Sequence, residues 1–302
     1  MAFDVCLVGH VTQDQIEIAG APVRRMAGGA AYYGGMAACV LGLSTAVLTK
    51  MAPADQPSLL RALKGQGVIV EVLSSLRTTV FINRYPEASQ GPRIQQVPSV
   101  AEAFQPADLR IEAGHYLLGP LTRDEISQDC VAAWATQNRR LVMDVQGLLR
   151  EIIGERVVLK ALPGACELLK HLEVVKADVE EARILTGMAS PEAAARWLLS
   201  AGVGEVLVTA GSRGSLVMTA AGRFPIPAFH PPAAVDTTGC GDTYLAAYLF
   251  RRREGGSVAA SARFAAAAAS LKIASAGAFQ GTEGDVYRFA AEAETIPDPL
   301  FF

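Results

Sequence analysis

Asp236-Thr237-Thr238-Gly239-Cys240-Gly241-Asp242 places two glycines around a small residue, with a carboxylate at each end, just before the apolar run 243–250. Glycine tolerates a tight turn and has no side chain to keep a ligand away, so neighbouring backbone N–H groups can converge on one point. The periodicity of 243–250 predicts a helix, and its positive end would face that same point. The natural occupant is an anion, phosphate above all. A carboxylate beside such a pocket repels its ligand unless it has work to do. The work that fits Asp242 is taking a proton from a hydroxyl that attacks the phosphate. The chemistry expected is phosphoryl transfer to an alcohol.

Five other stretches carry groups suited to that chemistry. Asp14 follows Gly9 at the end of an apolar strand pattern, which puts it beyond a strand's carboxyl end, where ligands of open α/β sheets bind. The alternative is a turn aspartate bonding its own backbone. Gly28-Gly29 opens an alanine-rich helix that ends near Leu41-Gly42, through either close ligand approach or simple packing. Asp178 and Glu181 lie one helical turn apart at a strand-to-helix junction. They suit outer-sphere support of a Mg²⁺ that keeps its waters, and equally a capping box. Thr209, Gly211 and Gly214 form a turn able to hold a second phosphate or a ribose, or to close a plain β-hairpin. Residues 144–150 add an acid, an amide and a cation after another strand. No Gly-x-x-x-x-Gly-Lys-Ser/Thr segment, dinucleotide fingerprint or metal-ligand histidine spacing occurs.

The elements that must position these groups alternate. Strands are expected at 5–11, 46–49, 68–72, 115–118, 140–144, 173–176, 205–209 and 215–219, with helices at 58–64, 124–136, 166–169, 180–185 and 192–201. That rhythm predicts a mostly parallel sheet covered on both faces. Residues 15–19, 79–85 and 93–97 break it. They are expected as antiparallel strands of a small β lid contributed by 12–26 and 78–98, with a polar turn at Pro86, Gly91 and Pro92. Residues 258–273, almost pure alanine, predict a closely packed helix, and 296–302 a surface tail.

Composition narrows the class. The chain has 302 residues, of which 51% are apolar and 19% charged, with net charge −3. There is no basic stripe for nucleic acid, and Arg251–Arg253 fits a solvated helix end. Five scattered cysteines fit a reducing compartment. A start directly on a strand, with no apolar run of about 18 residues, leads to the expectation of a cytoplasmic protein with no membrane partner.

In this order the motifs resemble the ribokinase-like, or PfkB, carbohydrate kinases over nearly the whole chain. Gly9 with Asp14, Gly28-Gly29, 176–181, 208–214 and above all 236–242 carry the resemblance. It implies a single domain over 1–302, a three-layer α/β/α sandwich with a small β lid, and transfer of the γ-phosphate of ATP, with Mg²⁺, to a sugar-like alcohol. By that resemblance Asp242 is the base, and Gly239, Cys240 and Gly241 form an anion hole. Asp14, Gly28, Gly29, Tyr33, Asn83 and Arg150 meet the acceptor, and Thr209, Gly211 and Gly214 the nucleotide. Asp178 and Glu181 serve Mg²⁺, while Asp236 lies near the K⁺ that often activates such kinases. Three features depart from the common pattern. Cys240 replaces alanine, Asp178 replaces asparagine, and Tyr32-Tyr33-Gly34 stands where sugar-specific members carry asparagine. Residues 29–31, 78–85 and 144–150 look more like the branch containing myo-inositol kinases. A homodimer through the lid strands is a further expectation. A ligand-binding protein that keeps the fold without catalysis is the alternative, against which the intact Asp242 loop speaks.

Overall fold

The computed structural model describes residues 2–18, 20, 22–85 and 94–296. The tail from 297 onward and the turn containing Pro86, Gly91 and Pro92 lie outside the described residues, as does Ala19.

Seven parallel strands form the centre of the main sheet. They are β1 (Phe3–Val8), β4 (Thr45–Met51), β5 (Ile69–Ser74), β8 (Ala113–Leu118), β9 (Leu141–Asp144), β12 (Val174–Asp178) and β13 (Glu205–Thr209). Antiparallel β14 (Ser215–Thr219) and β15 (Gly222–Ile226) complete it in the order β15-β14-β13-β12-β9-β8-β1-β4-β5. Alternate side chains point to opposite faces. Leu7, Val47, Leu117 and Val142 join one core, and Cys6, Val8, Ala46 and Met143 the other. The first face is covered by α1 (Ala30–Val40), α2 (Gln56–Leu59), α3 (Arg61–Gln66), α9 (Cys240–Arg253), α10 (Val258–Ile273) and α11 (Glu283–Glu292). The second is covered by α4 (Gln128–Ala135), α5 (Gln146–Leu149), α6 (Ala165–Leu169), α7 (Val179–Thr186) and α8 (Pro191–Ser200). The result is the expected three-layer α/β/α sandwich. In α10 the alanines allow close packing: Ala265, Ala267 and Ala268 are fully buried.

A second sheet runs β10-β11-β7-β6-β2-β3, built from β2 (Thr12–Ile18), β3 (Arg24–Gly28), β6 (Val80–Tyr85), β7 (Ile94–Ser99), β10 (Arg150–Ile153) and β11 (Arg156–Leu159). It corrects the expectation from sequence in two ways. β2 pairs with β6 in parallel, because the chain crosses the main sheet between them. The hairpin β10–β11, unmarked by strong alternation, joins at Arg156 opposite Gln96. A small core of Ala30, Phe81, Val97 and Leu121 ties this sheet to the start of α1.

Two local expectations also shift. The helix foreseen at 124–136 begins only at Gln128, where the Ser127 hydroxyl accepts from the Cys130 N–H and caps it. Arg252 and Arg253 do not merely solvate a helix end: Arg252 pairs with Glu205 at 2.6 Å, and Arg253 pairs with Asp4. The five cysteines are all free thiols. Among the described residues, no helix is long and apolar enough to cross a membrane.

Candidate active site

The ends of β9 and β12, the first turn of α9 and residues of the second sheet line one cavity of about 960 Å³. The loop before α9 is held by Asp236. Its carboxylate accepts from the Thr238 N–H at 2.9 Å and the Gly277 N–H at 3.3 Å. Burial works against that charge, but these N–H groups hold the Asp236 carboxyl below its ordinary value. Gly239 then takes φ 79°, a left-handed conformation that suits glycine. A β-carbon there would stand 2.5 Å from the Tyr33 ring. Among the described residues no side chain caps α9, and its N-terminal end faces the cavity with its positive dipole. The Cys240 N–H is already given to the Thr237 carbonyl at 3.2 Å. Gly239 and Gly241 line the cavity.

Asp242 opens on the same space, and the cause of its altered acidity is visible. Burial comes first and the Asp144 charge second; against the pull of Lys176 and Arg150 they push the Asp242 carboxyl up to about 6. Lys176 was not anticipated from sequence. It sits on β12 directly opposite Asp144 on β9, and its Nζ donates to Asp144 Oδ2 at 2.7 Å. Both side chains are nearly inaccessible to solvent. Burial would lower the Lys176 pKa, but the charges of Asp144, Glu181 and Asp242 keep it raised. A β-carbon on Gly241 would meet this ammonium at 2.8 Å, so Lys176 lies against the backbone of the anion loop. A cation placed there could offset the charge of an anion bound at the α9 terminus.

Asp178 and Glu181 also line the cavity, and they form the capping box as well. The Asp178 N–H donates to Glu181 Oε2 and the Glu181 N–H to Asp178 Oδ1, each at 2.7 Å. Burial pushes the Glu181 carboxyl up to about 7. One oxygen of each is left by the cap, a donor set that suits a Mg²⁺ held chiefly by phosphate and water. Among the described residues, no three His, Cys, Asp or Glu side chains gather as a direct metal cage.

On the opposite wall, Asp14 and Asn83 project from β2 and β6, with Gln95 Nε2 donating to Asn83 Oδ1 at 2.9 Å. The Thr12 hydroxyl donates to Asp14 at 2.7 Å. Gly28 leaves room for the Asp14 carboxylate, which a β-carbon there would strike. Gly29, Tyr33 and Arg150 complete this end, and Arg150 donates to Gln146 Oε1 at 2.5 Å. The Tyr33 hydroxyl is buried with no hydrogen-bond partner among the described residues, and burial with the charges of Asp14, Asp236 and Asp242 raises its pKa.

Thr209, Gly211 and Gly214 do not line this cavity, although Thr209 stands beside its wall residue Asp178 in the register of β13 against β12. Thr209 Oγ1 donates to the Ala177 carbonyl at 3.4 Å, and Gly214 packs against the backbone of 226–228 where the antiparallel pair β13–β14 turns.

The arrangement thus joins a glycine-rich loop at a helix N-terminus, a carboxylate of raised pKa and a polar wall. Residues 3–283 match the pfkB family carbohydrate kinase. The chain belongs to that family. Among its relatives, the ribokinase of Arabidopsis thaliana is 41% identical over 187 residues, 59% of this chain and 46% of that protein. The match therefore spans less than half the length of that relative. The solved Arabidopsis thaliana ribokinase complexed with ribose and ATP superposes with TM-score 0.77 at 26% identity, covering 96% of this chain and 99% of the other. A pyrophosphate-dependent kinase in the ribokinase family, complexed with a pyrophosphate analogue and myo-inositol, superposes with TM-score 0.84 at 28% identity, covering 94% and 99%. Within this pfkB chain, sequence reasoning passed over Lys176 and Gln95. Lys176 had one signal, a charged residue in an otherwise apolar strand that precedes Asp178.

Proposed function

We propose that the chain is a kinase that moves the terminal phosphoryl group of ATP, with Mg²⁺, to a hydroxyl of a small sugar-like acceptor. The observation that carries this reading is Asp242 facing the same cavity as the α9 terminus, Lys176 and the polar wall of Asp14 and Asn83. The acceptor hydroxyl gives its proton to Asp242 while its oxygen bonds to the terminal phosphorus. The bridging P–O bond then breaks and ADP leaves with the electron pair. The Gly239 and Gly241 backbone and the Lys176 ammonium stabilise charge on the phosphoryl oxygens as they pass. Asp178 and Glu181 would hold a hydrated Mg²⁺ against the donor, and that ion would supply further positive charge there. The second sheet serves as the lid that excludes water. Tyr33, Asn83 and Arg150 read the acceptor, and the likeness of residues 29–31, 78–85 and 144–150 to the inositol-kinase branch favours a cyclitol. The open edge strands β3 and β10 of the second sheet are where a homodimer would form, which sedimentation would show.

A second reading is favoured by one observation. Thr209, Gly211 and Gly214 lie outside the cavity, and the similar pyrophosphate-dependent kinase uses a donor with no nucleoside. Purified protein, Mg²⁺ and a panel of cyclitols, pentoses, hexoses and nucleosides, each with ATP or pyrophosphate, separates the two. Release of ADP with one acceptor is the expected result. Turnover with pyrophosphate alone transfers the donor role, and no turnover with any pair leaves the ligand-binding alternative.

A further inference from the structure

The last turn of α10 carries Lys272, whose side chain is fully inaccessible to solvent although a helix-terminal lysine normally extends into water. Its Nζ donates to the Asp236 main-chain carbonyl at 2.8 Å and lies 3.3 Å from Asp236 Oδ2. The same short stretch is tied down from α10 itself, because the Ile273 carbonyl accepts from the N–H groups of Val235 at 2.9 Å and Asp236 at 3.1 Å. Asp236 therefore sits in a closed ring of bonds. One carboxylate oxygen is held by the Thr238 amide, the other by the Gly277 amide and Lys272, and its carbonyl by Lys272 again.

This is the place where a potassium ion was expected. A potassium ion binds carbonyl and carboxylate oxygens without strong directional demands and brings one positive charge. The Lys272 ammonium takes those two kinds of oxygen on Asp236 and brings the same charge. A buried ammonium with these partners and a free cation at the same oxygens would repel each other in a poorly solvated space. The residues present do not fit a potassium ion at Asp236.

We infer that Lys272 is a built-in monovalent cation: it holds the loop 236–242 in its anion-binding shape, so that this kinase works without potassium or ammonium ions. Lys272 is thus a positioning residue, acting through Asp236 and the loop rather than on the phosphoryl group. Its charge reaches Cys240 at the middle of that loop. A tethered cation has no dissociation constant, so the loop is set whatever the ionic composition around it. The inference rests on the kinase reading for its catalytic consequence but not for its structural one.

Two measurements test it. Thermal unfolding of the substrate-free protein should give the same Tm in KCl, NH₄Cl and tetramethylammonium chloride at equal ionic strength. A saturable rise in Tm specific to potassium or ammonium would overturn the inference, whether or not any kinase activity is found. With an acceptor in hand, the wild-type rate should agree within about twofold among the three salts. Lys272→Ala, which removes the charge and leaves space, should lose at least about tenfold in kcat in tetramethylammonium chloride and regain most of it with KCl or NH₄Cl. Full activity of that variant in tetramethylammonium chloride would also overturn the inference. If Lys272→Ala does not fold, the two wild-type comparisons decide alone.

Discussion

Replacing Asp242 with asparagine separates the chemistry of this carboxylate from its cost to the fold. Its pKa is raised from 3.8 to about 6, so the folded protein holds the proton more tightly than the unfolded chain does. The sign follows directly. Below the unfolded value both states are protonated and nothing is lost. As pH rises from about 4 to about 6 the folded state is increasingly penalised, and above that the penalty is constant. Two pKa units correspond to about 3 kcal/mol, reduced to about 1–3 kcal/mol because the side chain is only partly buried at the cavity wall. Asp242→Asn should therefore be more stable than the wild type at pH 8, with Tm higher by about 2–6 °C for a chain of this size. The gain should shrink toward zero near pH 4. The same variant should lose about 10²–10⁴-fold in kcat if Asp242 is the base. The assay pairs calorimetry at pH 4, 6 and 8 with initial rates at saturating acceptor. Turnover within tenfold of wild type would remove Asp242 as the base. A variant less stable than wild type at pH 8 would refute the electrostatic account.

The neighbouring charges make further predictions. Lys176→Met should lower kcat/KM by about 10²-fold and stability by about 3 kcal/mol, since Asp144 is left buried and unpaired. Adding Asp144→Asn should recover much of the stability, read by urea melts, but none of the rate. Asp144→Asn alone removes a charge that raises Asp242, so the acid limb of the pH–kcat/KM profile should move below about 6. Gly239→Ala forces a β-carbon toward the Tyr33 ring at positive φ, and it should cost about 1–3 kcal/mol by melting while abolishing turnover. Asp178→Ala should lose about 1 kcal/mol from the broken capping box, with a raised Mg²⁺ requirement in the same rate assay.

What could be read from the residues and what could not divides along physical lines. Strand periodicity and the spacing 236–242 are local, so the parallel sheet, the α9 terminus and the position of Asp242 beside it were legible in the chain alone. Asp178 and Glu181 show a limit of local reading: one spacing serves a capping box and a cavity wall at once, and the structure has both. The partnership of Lys176 with Asp144 is set by the register of β12 against β9, across 32 residues of chain, and no periodicity encodes it. Lys272 was hidden in the same way, as one charge in an alanine-rich helix whose burial depends on where Asp236 arrives. The hairpin β10–β11 escaped because its strands are short and half-exposed, so neither alternation nor a long apolar run marks them.

The placement of Tyr33 bears on how such a pocket can diversify. Asp14, Asn83 and Gln95 stand on the second sheet, attached to the body through a small core. Substitutions there can retune the shape offered to an alcohol while α9 and its loop stay as they are. Tyr33 is different, for its ring is the surface against which Gly239 turns. On the proposed reading, selection for a new acceptor has free play on the sheet and almost none at position 33, where any change to the pocket is also a change to the support of loop 236–242.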